Sequence, residues 1–161
     1  LIPALIAKWI SHSYPDAISP ITYITPLLGF GLFVAVQLLR FTLTAPRGDF
    51  QVLCAGVAGY LMVALLWAFA YLLVDRTAPS SFAFENAPGR TELDGFSALY
   101  FSMVTLTTVG YGDVLPVAKA ARMLAMMEAA VGTFYVAVLM ARLVSLHMTA
   151  LPAERSQRTP E

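Results

Sequence analysis

One apolar stretch limits the fold of this chain more than any other feature. From Val52 to Val74 the sequence has 23 consecutive residues without a formal charge. About 20 apolar residues in a helix are enough to span the hydrocarbon layer of a bilayer. Hydrophobic residues make up 58% of the 161-residue chain and charged residues 12%, whereas an ordinary soluble domain is roughly 25% charged. The sequence therefore predicts an all-α integral membrane protein.

Three other stretches have the same character. Ile21 to Leu39 is apolar and ends at Arg40, and Met123 to Ala141 has 19 residues with one charged side chain. Both have about the length of a membrane span. Leu1 to Ile10 is apolar except for one lysine, so we expect a partial helix there and a chain truncated at its start.

The segment between the second and third full spans predicts a loop and a short helix. Residues 77–90 contain two prolines and a glycine, which are typical of an exposed loop. Thr91 with Asp94 three residues later resembles a helix N-cap pair, so the short helix is expected to begin at Thr91. Gly95 to Thr107 is apolar over 13 residues, which is too short to cross a bilayer and favours a re-entrant helix.

The sequence Thr-Thr-Val-Gly-Tyr-Gly-Asp follows at residues 107–113. Non-helical backbone at membrane depth is tolerated only where it is buried in protein or lines a watery pathway. At Thr108–Gly112 the chain resembles the potassium channels, in which four Thr-Val-Gly-Tyr-Gly loops form the ion filter. The resemblance covers about residues 50–148 and implies a pore domain of outer helix, re-entrant pore helix, filter and inner helix.

The resemblance also implies which residues contact the ion. The expected selectivity filter consists of Thr108, Val109, Gly110, Tyr111 and Gly112. In this arrangement K⁺ is bound by the Thr108 hydroxyl and by backbone carbonyls, namely those of Thr108, Val109, Gly110 and Tyr111. Gly110 and Gly112 are expected to adopt backbone angles that are unfavourable for residues with side chains.

Neighbouring residues are expected to support the filter. By the same resemblance these are Tyr100, Thr107 and Asp113, with a hydrogen bond between the first and the last. Leu115 lies where relatives carry an aromatic residue, four positions after the filter tyrosine. Because that aromatic binds external quaternary ammonium ions by cation–π attraction, its absence predicts weak external block.

The predicted inner helix contains further candidates. Gly132 lies 21 residues after Tyr111, the spacing at which related channels place a gating hinge. The alternative is that Gly132 allows a close helix contact, as small residues do in membranes, and the sequence leaves both readings open. The residues expected to line the cavity recur at helical spacing: Thr133, Val136, Met140 and Val144.

One charged residue stands inside the predicted inner helix. A carboxylate at membrane depth costs on the order of 3 kcal/mol or more unless it is paired, protonated or wet. Glu128, Tyr135 and Arg142 repeat every seven residues and so share a face. We therefore expect a polar seam between helices at these residues rather than an ion site.

The resemblance to potassium channels implies a potassium-selective channel subunit that conducts K⁺ passively through a homotetramer surrounded by lipid. A non-selective cation channel and a potassium transporter subunit are the alternatives. No cofactor is expected, an enzyme is disfavoured because no catalytic cluster is present, and nucleic acid is disfavoured because the basic residues are scattered.

The expected organisation has three parts. These are a truncated transmembrane region over 1–49, a pore domain over 50–148 and a polar cytoplasmic tail over 149–161. The basic residues Arg40 and Arg142 favour a cytoplasmic C-terminus and an extracellular filter. The expected location is a bacterial inner membrane.

Overall fold

The computed structural model describes residues 20–45, 50–85, 89 and 92–157. The predicted partial helix at 1–10 and the predicted N-cap Thr91 lie outside these residues. In chain order the elements are α1 (Pro20–Thr44), α2 (Phe50–Thr77), β1 (Phe82–Phe84), α3 (Gly95–Leu106), β2 (Val114–Pro116) and α4 (Lys119–Gln157).

Three of the helices are long and apolar enough to cross a membrane. Their apolar parts are Ile24–Thr44, Phe50–Thr77 and Lys119–Ser145, with 21, 28 and 27 residues. α3 is apolar but has only 12 residues, which is about 18 Å of helix and too short for a span. The expected all-α membrane fold, with a short helix between the last two spans, is confirmed.

Two helices continue beyond the ends expected from their apolar residues. α1 runs past Arg40 to Thr44, and the hydroxyls of Thr42 and Thr44 each donate to the carbonyl four residues earlier, at 2.9 and 2.7 Å. α4 continues to Gln157, so residues 149–157 of the predicted tail are helical. Alanine occurs twice there and leucine, glutamate and arginine once each, and these residues favour a helix.

The helices α2 and α3 and the strand β1 meet at an aromatic cluster. The Tyr71 ring lies 4.9 Å from the Phe101 ring and 5.7 Å from the Phe82 ring, measured between centroids. The Phe82 and Phe101 rings are 5.5 Å apart, and all three pairs meet edge to face. This geometry is favourable for aromatic rings. These ring contacts hold α3 against α2. They also hold β1, which contains Phe82, against both helices.

The prediction of an exposed loop over residues 77–90 is wrong for its middle part. β1 pairs antiparallel with β2, with Phe82 opposite Pro116 and Phe84 opposite Val114. Ser81 and Phe82 are buried. The physical reason is that Phe82 joins the cluster of Tyr71 and Phe101, and burying its ring outweighs the turn preference of the flanking residues.

The expected start of the short helix is also wrong. α3 begins at Gly95, and its N-cap is Asp94, whose carboxylate accepts a hydrogen bond from the Ser97 amide at 2.7 Å. The amide of Leu93 is engaged elsewhere, because it donates to the buried Asp75 carboxylate at 2.8 Å. Asp94 is a good N-cap in its own right. The helix therefore begins four residues after Thr91.

The first two full spans form a helical hairpin, in which α1 packs along α2. Gly31 of α1 lies against Leu66 of α2, so close that a Cβ at Gly31 would be 2.9 Å from a Leu66 methyl carbon. At the end of α1, the Ala45 carbonyl accepts a hydrogen bond from Arg142 of α4 at 2.6 Å. Thus α1 packs on α2, and the residue that follows α1 bonds to α4.

Candidate functional site

The segment with the Thr-Val-Gly-Tyr-Gly sequence begins at a capped helix end. The last four carbonyls of an α-helix lack partners within the helix. At the end of α3, the Thr108 amide donates to the Thr105 carbonyl at 3.0 Å and the Val109 amide donates to the Val104 carbonyl at 3.0 Å. These two bonds form a Schellman motif. α3 therefore ends sharply, and the chain leaves it in a defined direction.

Three residues of this segment have left-handed backbone angles. Gly110 has φ = 59° and Gly112 has φ = 81°, as expected from the two glycines. Thr108 has φ = 59° as well, although a β-branched residue rarely adopts this conformation. Such strain, of order 1–3 kcal/mol, is held only where the surroundings enforce it. The Schellman motif provides that constraint, because it requires a left-handed residue at Thr108.

The expected supporting residues lie beside this segment. Tyr100 of α3 and Asp113 line the same small cavity beside the segment, and the hydrogen bond expected between them stays a prediction. The rings of Tyr100 and Tyr111 are stacked, with centroids 6.4 Å apart and planes inclined by 7°. The Thr107 hydroxyl donates to the Met103 carbonyl at 2.7 Å. Tyr100 thus packs against the segment through the Tyr111 ring.

The final carbonyl of α3 contacts both long helices of the pore region. The Tyr60 hydroxyl of α2 donates to the Leu106 carbonyl at 3.1 Å. Gly132 of α4 lies directly against the same carbonyl, and a Cβ on Gly132 would overlap its oxygen. The close-contact reading of Gly132 is therefore confirmed. Its role as a hinge stays a prediction.

Glu128 is fully buried where α2, α3 and α4 meet. The Tyr71 hydroxyl of α2 donates to Glu128 Oε2 at 2.5 Å. The Ser102 hydroxyl of α3 is hydrogen-bonded to Glu128 Oε1, and Ser102 Oγ also lies 2.7 Å from the Ala64 carbonyl oxygen of α2. One carboxyl group therefore joins three helices.

The other two members of the predicted polar seam also bond to neighbouring segments. The Tyr135 hydroxyl donates to the Gly56 carbonyl of α2 at 2.7 Å, and Arg142 donates to Ala45. All three side chains of the heptad repeat thus leave α4 on one face and bond to other parts of the fold. The predicted seam between helices is confirmed.

The region that contains these contacts matches a known protein family. Residues 51–148, which include α2, α3, the glycine-bearing segment and most of α4, match the family described as ion channel. This match covers more than half of the chain. The chain belongs to the ion channel family. Its fold is the pore-domain fold expected from the resemblance to potassium channels, and the family is not a class of enzymes.

Curated relatives of this ion channel carry potassium channel names. "Two pore potassium channel c" of Oryza sativa is 35% identical over 107 residues, which are 59% of this chain and 23% of the relative. "Voltage-gated potassium channel Kch" of Escherichia coli is 35% identical over 96 residues, 60% of this chain and 21% of the relative. "Calcium-gated potassium channel TvoK" of Thermoplasma volcanium is 56% identical over 32 residues, 20% of this chain and 9% of the relative. The chain thus spans a quarter or less of each relative.

The residues expected to line the channel cavity share the exposed side of α4. The exposed fractions of Val136, Met140 and Val144 are 42%, 55% and 63%, and Thr133 is exposed as well. Glu128, Gly132 and Tyr135 face the opposite way, toward α2 and α3. The single ion channel chain therefore turns its polar seam inward and leaves the candidate cavity face uncovered.

Three residues of the channel site were not singled out from the sequence. Tyr60 contacts the end of α3, and Tyr71 and Ser102 hold Glu128. An aromatic or serine residue in an apolar span is common and gives no sign of its partner. The only usable signal was Glu128 itself, since a buried carboxyl group requires hydroxyl, amide or basic partners on the helices around it.

Proposed function

We propose that this chain is one subunit of a potassium-selective channel that conducts K⁺ passively through a homotetrameric pore. The proposal rests on the position in the fold at which the Thr-Val-Gly-Tyr-Gly sequence begins. It follows the capped end of a short helix that is enclosed by two membrane-spanning helices. A backbone segment in that setting requires a watery pathway or burial in protein, and four such segments around one axis satisfy the requirement.

The chemistry proposed for the site is replacement of the ion's water shell. Backbone carbonyls in rings substitute for water around K⁺. The oxygens assigned to this task are the carbonyls of Thr108, Val109, Gly110 and Tyr111 and the hydroxyl of Thr108. The left-handed angles at Gly110 and Gly112 support the assignment, because residues of alternating handedness let successive carbonyls point to one side. The C-terminal end of α3 adds roughly half a negative charge.

The proposed homotetramer follows from the fact that one chain supplies only part of the ion-binding site. A single loop supplies one quarter of each oxygen ring, so four identical chains are needed around a four-fold axis. The uncovered apolar residues of α4 support this, since Met140 and Val144 are more than half exposed in the single chain. In the tetramer these residues line the cavity below the filter, with Thr133 and Val136.

The orientation is proposed from charge. Arg40 and Arg142 lie near the C-terminal ends of the apolar parts of their helices, Ile24–Thr44 and Lys119–Ser145, and basic residues favour the cytoplasmic side. The filter and the strand pair then face outward and the end of α4 faces inward. We place the pore domain at residues 50–148, the membrane as a bacterial inner membrane, and the bending point during gating at Gly132.

The deciding experiment measures reversal potential. The purified protein is incorporated into planar bilayers with K⁺ on one side and Na⁺ on the other. A K⁺-selective channel reverses near the K⁺ equilibrium potential, whereas a non-selective cation channel reverses near zero. Absence of single-channel current with intact folded protein would favour the transporter alternative.

Two alanine substitutions test the filter assignment within one segment. At both Gly110 and Gly95 an added Cβ would have no atom within 4 Å, but only Gly110 has a positive φ. Gly110→Ala therefore strains the filter backbone, and we expect loss of K⁺ selectivity or of current. Gly95→Ala, at the start of α3, should conduct as the unaltered protein does. Equal behaviour of the two variants would count against the assignment.

A further inference from the structure

The buried carboxyl group of Glu128 lies among oxygen atoms that must be joined by hydrogen bonds, and the hydrogens available for these bonds can be counted. Three oxygen–oxygen pairs meet around it: Tyr71 with Glu128, Ser102 with Glu128, and Ser102 with the Ala64 carbonyl. The last pair is 2.7 Å apart and buried. Each pair lies at hydrogen-bonding distance, and two oxygens this close repel each other unless a hydrogen lies between them.

The hydroxyls alone cannot supply a hydrogen to every pair. Tyr71 and Ser102 each carry one hydroxyl hydrogen, and the Ala64 carbonyl carries none. If Ser102 donates to Ala64, its oxygen can only accept from Glu128. The Ser102–Glu128 pair then requires a hydrogen on Glu128 Oε1. With an ionised carboxylate, one of the two Ser102 pairs would be left without a hydrogen in a site that water does not reach.

We infer that Glu128 is held as a neutral carboxylic acid and acts as a positioning residue for the pore helix α3. As an acid it accepts from Tyr71 through Oε2 and donates to Ser102 through Oε1, while Ser102 donates to Ala64. All three pairs are then satisfied. The carboxyl group also avoids the cost of a buried negative charge, for which the described residues around it offer hydroxyls and no basic side chain.

Glu128 affects the position of the filter segment through one turn of α3, from Ser102 to Leu106. Ser102 precedes Leu106 by four residues, so both lie on the same face of the helix. Leu106 is itself held by Tyr60 and by Gly132. Glu128 therefore fixes the middle of α3 and the other contacts fix its end, from which the filter segment starts. This functional half of the inference rests on the proposed potassium channel.

The protonation state is tested by infrared spectroscopy of the folded protein in lipid at neutral pH. A neutral acid has a C=O stretching band that a carboxylate lacks. We expect such a band in the unaltered protein and its loss in Glu128→Gln. The matched control is Glu92→Gln, which alters an exposed carboxylate paired with Arg76 and should leave the band in place. A spectrum without the band in the unaltered protein would overturn the inference.

The positioning role is tested by ion selectivity. Glutamine reproduces the donor and acceptor pattern of the neutral acid, so Glu128→Gln should keep the reversal potential of the unaltered channel. Glu128→Ala and Ser102→Ala remove the link to α3, and we expect the K⁺ to Na⁺ permeability ratio to fall. Retention of the full ratio in an assembled Glu128→Ala or Ser102→Ala channel would refute the positioning role, as would a Gln variant as impaired as the Ala variant.

The two tests separate this inference from the proposed function. The infrared band requires only folded protein, so it reports on Glu128 even if the channel passes no current. A non-selective unaltered channel would overturn the proposed function while leaving the neutral acid intact. Where Glu128→Ala does not assemble, Ser102→Ala provides the selectivity measurement, since it replaces a small side chain by one of nearly equal size.

Discussion

Gly132 is a residue of α4 that lies directly against the end of α3. An added methyl group would overlap the Leu106 carbonyl oxygen and press on a Leu106 methyl carbon. We expect Gly132→Ala to destabilise the folded protein, because overpacking a tight contact costs about 1–3 kcal/mol. Thermal unfolding in detergent measures the change.

The control for that prediction is a glycine with free space around it. Gly29 lies in α1, and an added Cβ there would have no atom within 4 Å. Gly29→Ala should be neutral or stabilising by about 0.5–1 kcal/mol, since alanine favours a helix more than glycine does. If the two variants melted alike, the close contact at Gly132 would not be the cause.

Leu115 is the residue on which the prediction of weak block by external tetraethylammonium depends. It lies in β2 opposite Ala83 and is 44% exposed. Because leucine offers no aromatic face to a cation, external tetraethylammonium should block the unaltered channel weakly. Leu115→Tyr should bind it more tightly, as cation–π contacts contribute about 0.5–2 kcal/mol. Dose–response curves of single-channel current measure both.

A matched substitution separates this position from a general effect of aromatic residues. Val117 is 43% exposed and lies two residues further along the chain, so Val117→Tyr should leave the block weak. Sub-millimolar block of the unaltered channel would contradict the prediction outright.

At single positions the sequence predicted properties that follow from the residue type alone. It did not predict properties that depend on which residues lie nearby in the fold. The left-handed angles at Gly110 and Gly112 follow from glycine itself, whereas nothing in a threonine indicates the same angle at Thr108. That angle is set by the way α3 ends. Likewise the cost of a buried carboxyl group predicted partners for Glu128. It did not identify Tyr71 and Ser102, which tertiary packing brings to it.

Among the elements, the strand pair next to the proposed filter carries the clearest prediction. The Glu85 amide donates to the Asp113 carbonyl at 3.0 Å, immediately after Gly112. Glu85→Pro removes this donor, and a hydrogen bond of this kind contributes about 0.5–1.5 kcal/mol. We expect a less stable outer end of the filter and therefore faster decay of K⁺ current during prolonged opening in low external K⁺.

The control variant keeps the amide and changes only the side chain. Glu85→Ala should show the current decay of the unaltered channel, because its backbone can still donate to Asp113. A similar acceleration in both variants would assign the effect to the carboxylate and not to the strand pair.

The helices could be predicted from the sequence, whereas the two strands could not, because different factors determine them. The bilayer sets the length of a span, so three long helices and one short one could be predicted from apolar runs alone. The strands have three residues each and pair across about thirty residues of sequence, and so short a run has no periodicity to detect. Their pairing depends on Phe82 reaching the cluster of Tyr71 and Phe101.

For the molecule as a whole, the three residues that repeat every seven positions bond α4 to the rest of the chain at three depths. Glu128 contacts α2 and α3, Tyr135 contacts Gly56 of α2, and Arg142 contacts Ala45 at the end of α1. Glu128 precedes Gly132, whereas the other two follow it. Bending of α4 at Gly132 would therefore leave the filter end anchored by Glu128 and break the bonds of Tyr135 and Arg142.

The last prediction concerns the number of chains in the working molecule. If four loops are needed to complete the oxygen rings, the purified protein in mild detergent should have the mass of four chains of 17.4 kDa each. Native mass spectrometry of co-expressed tagged and untagged chains measures this, because a tetramer gives every mixture from no tags to four. A dimer gives at most two tags and would contradict the proposed pore. The Glu128 network lies within one chain, so it should persist in either assembly.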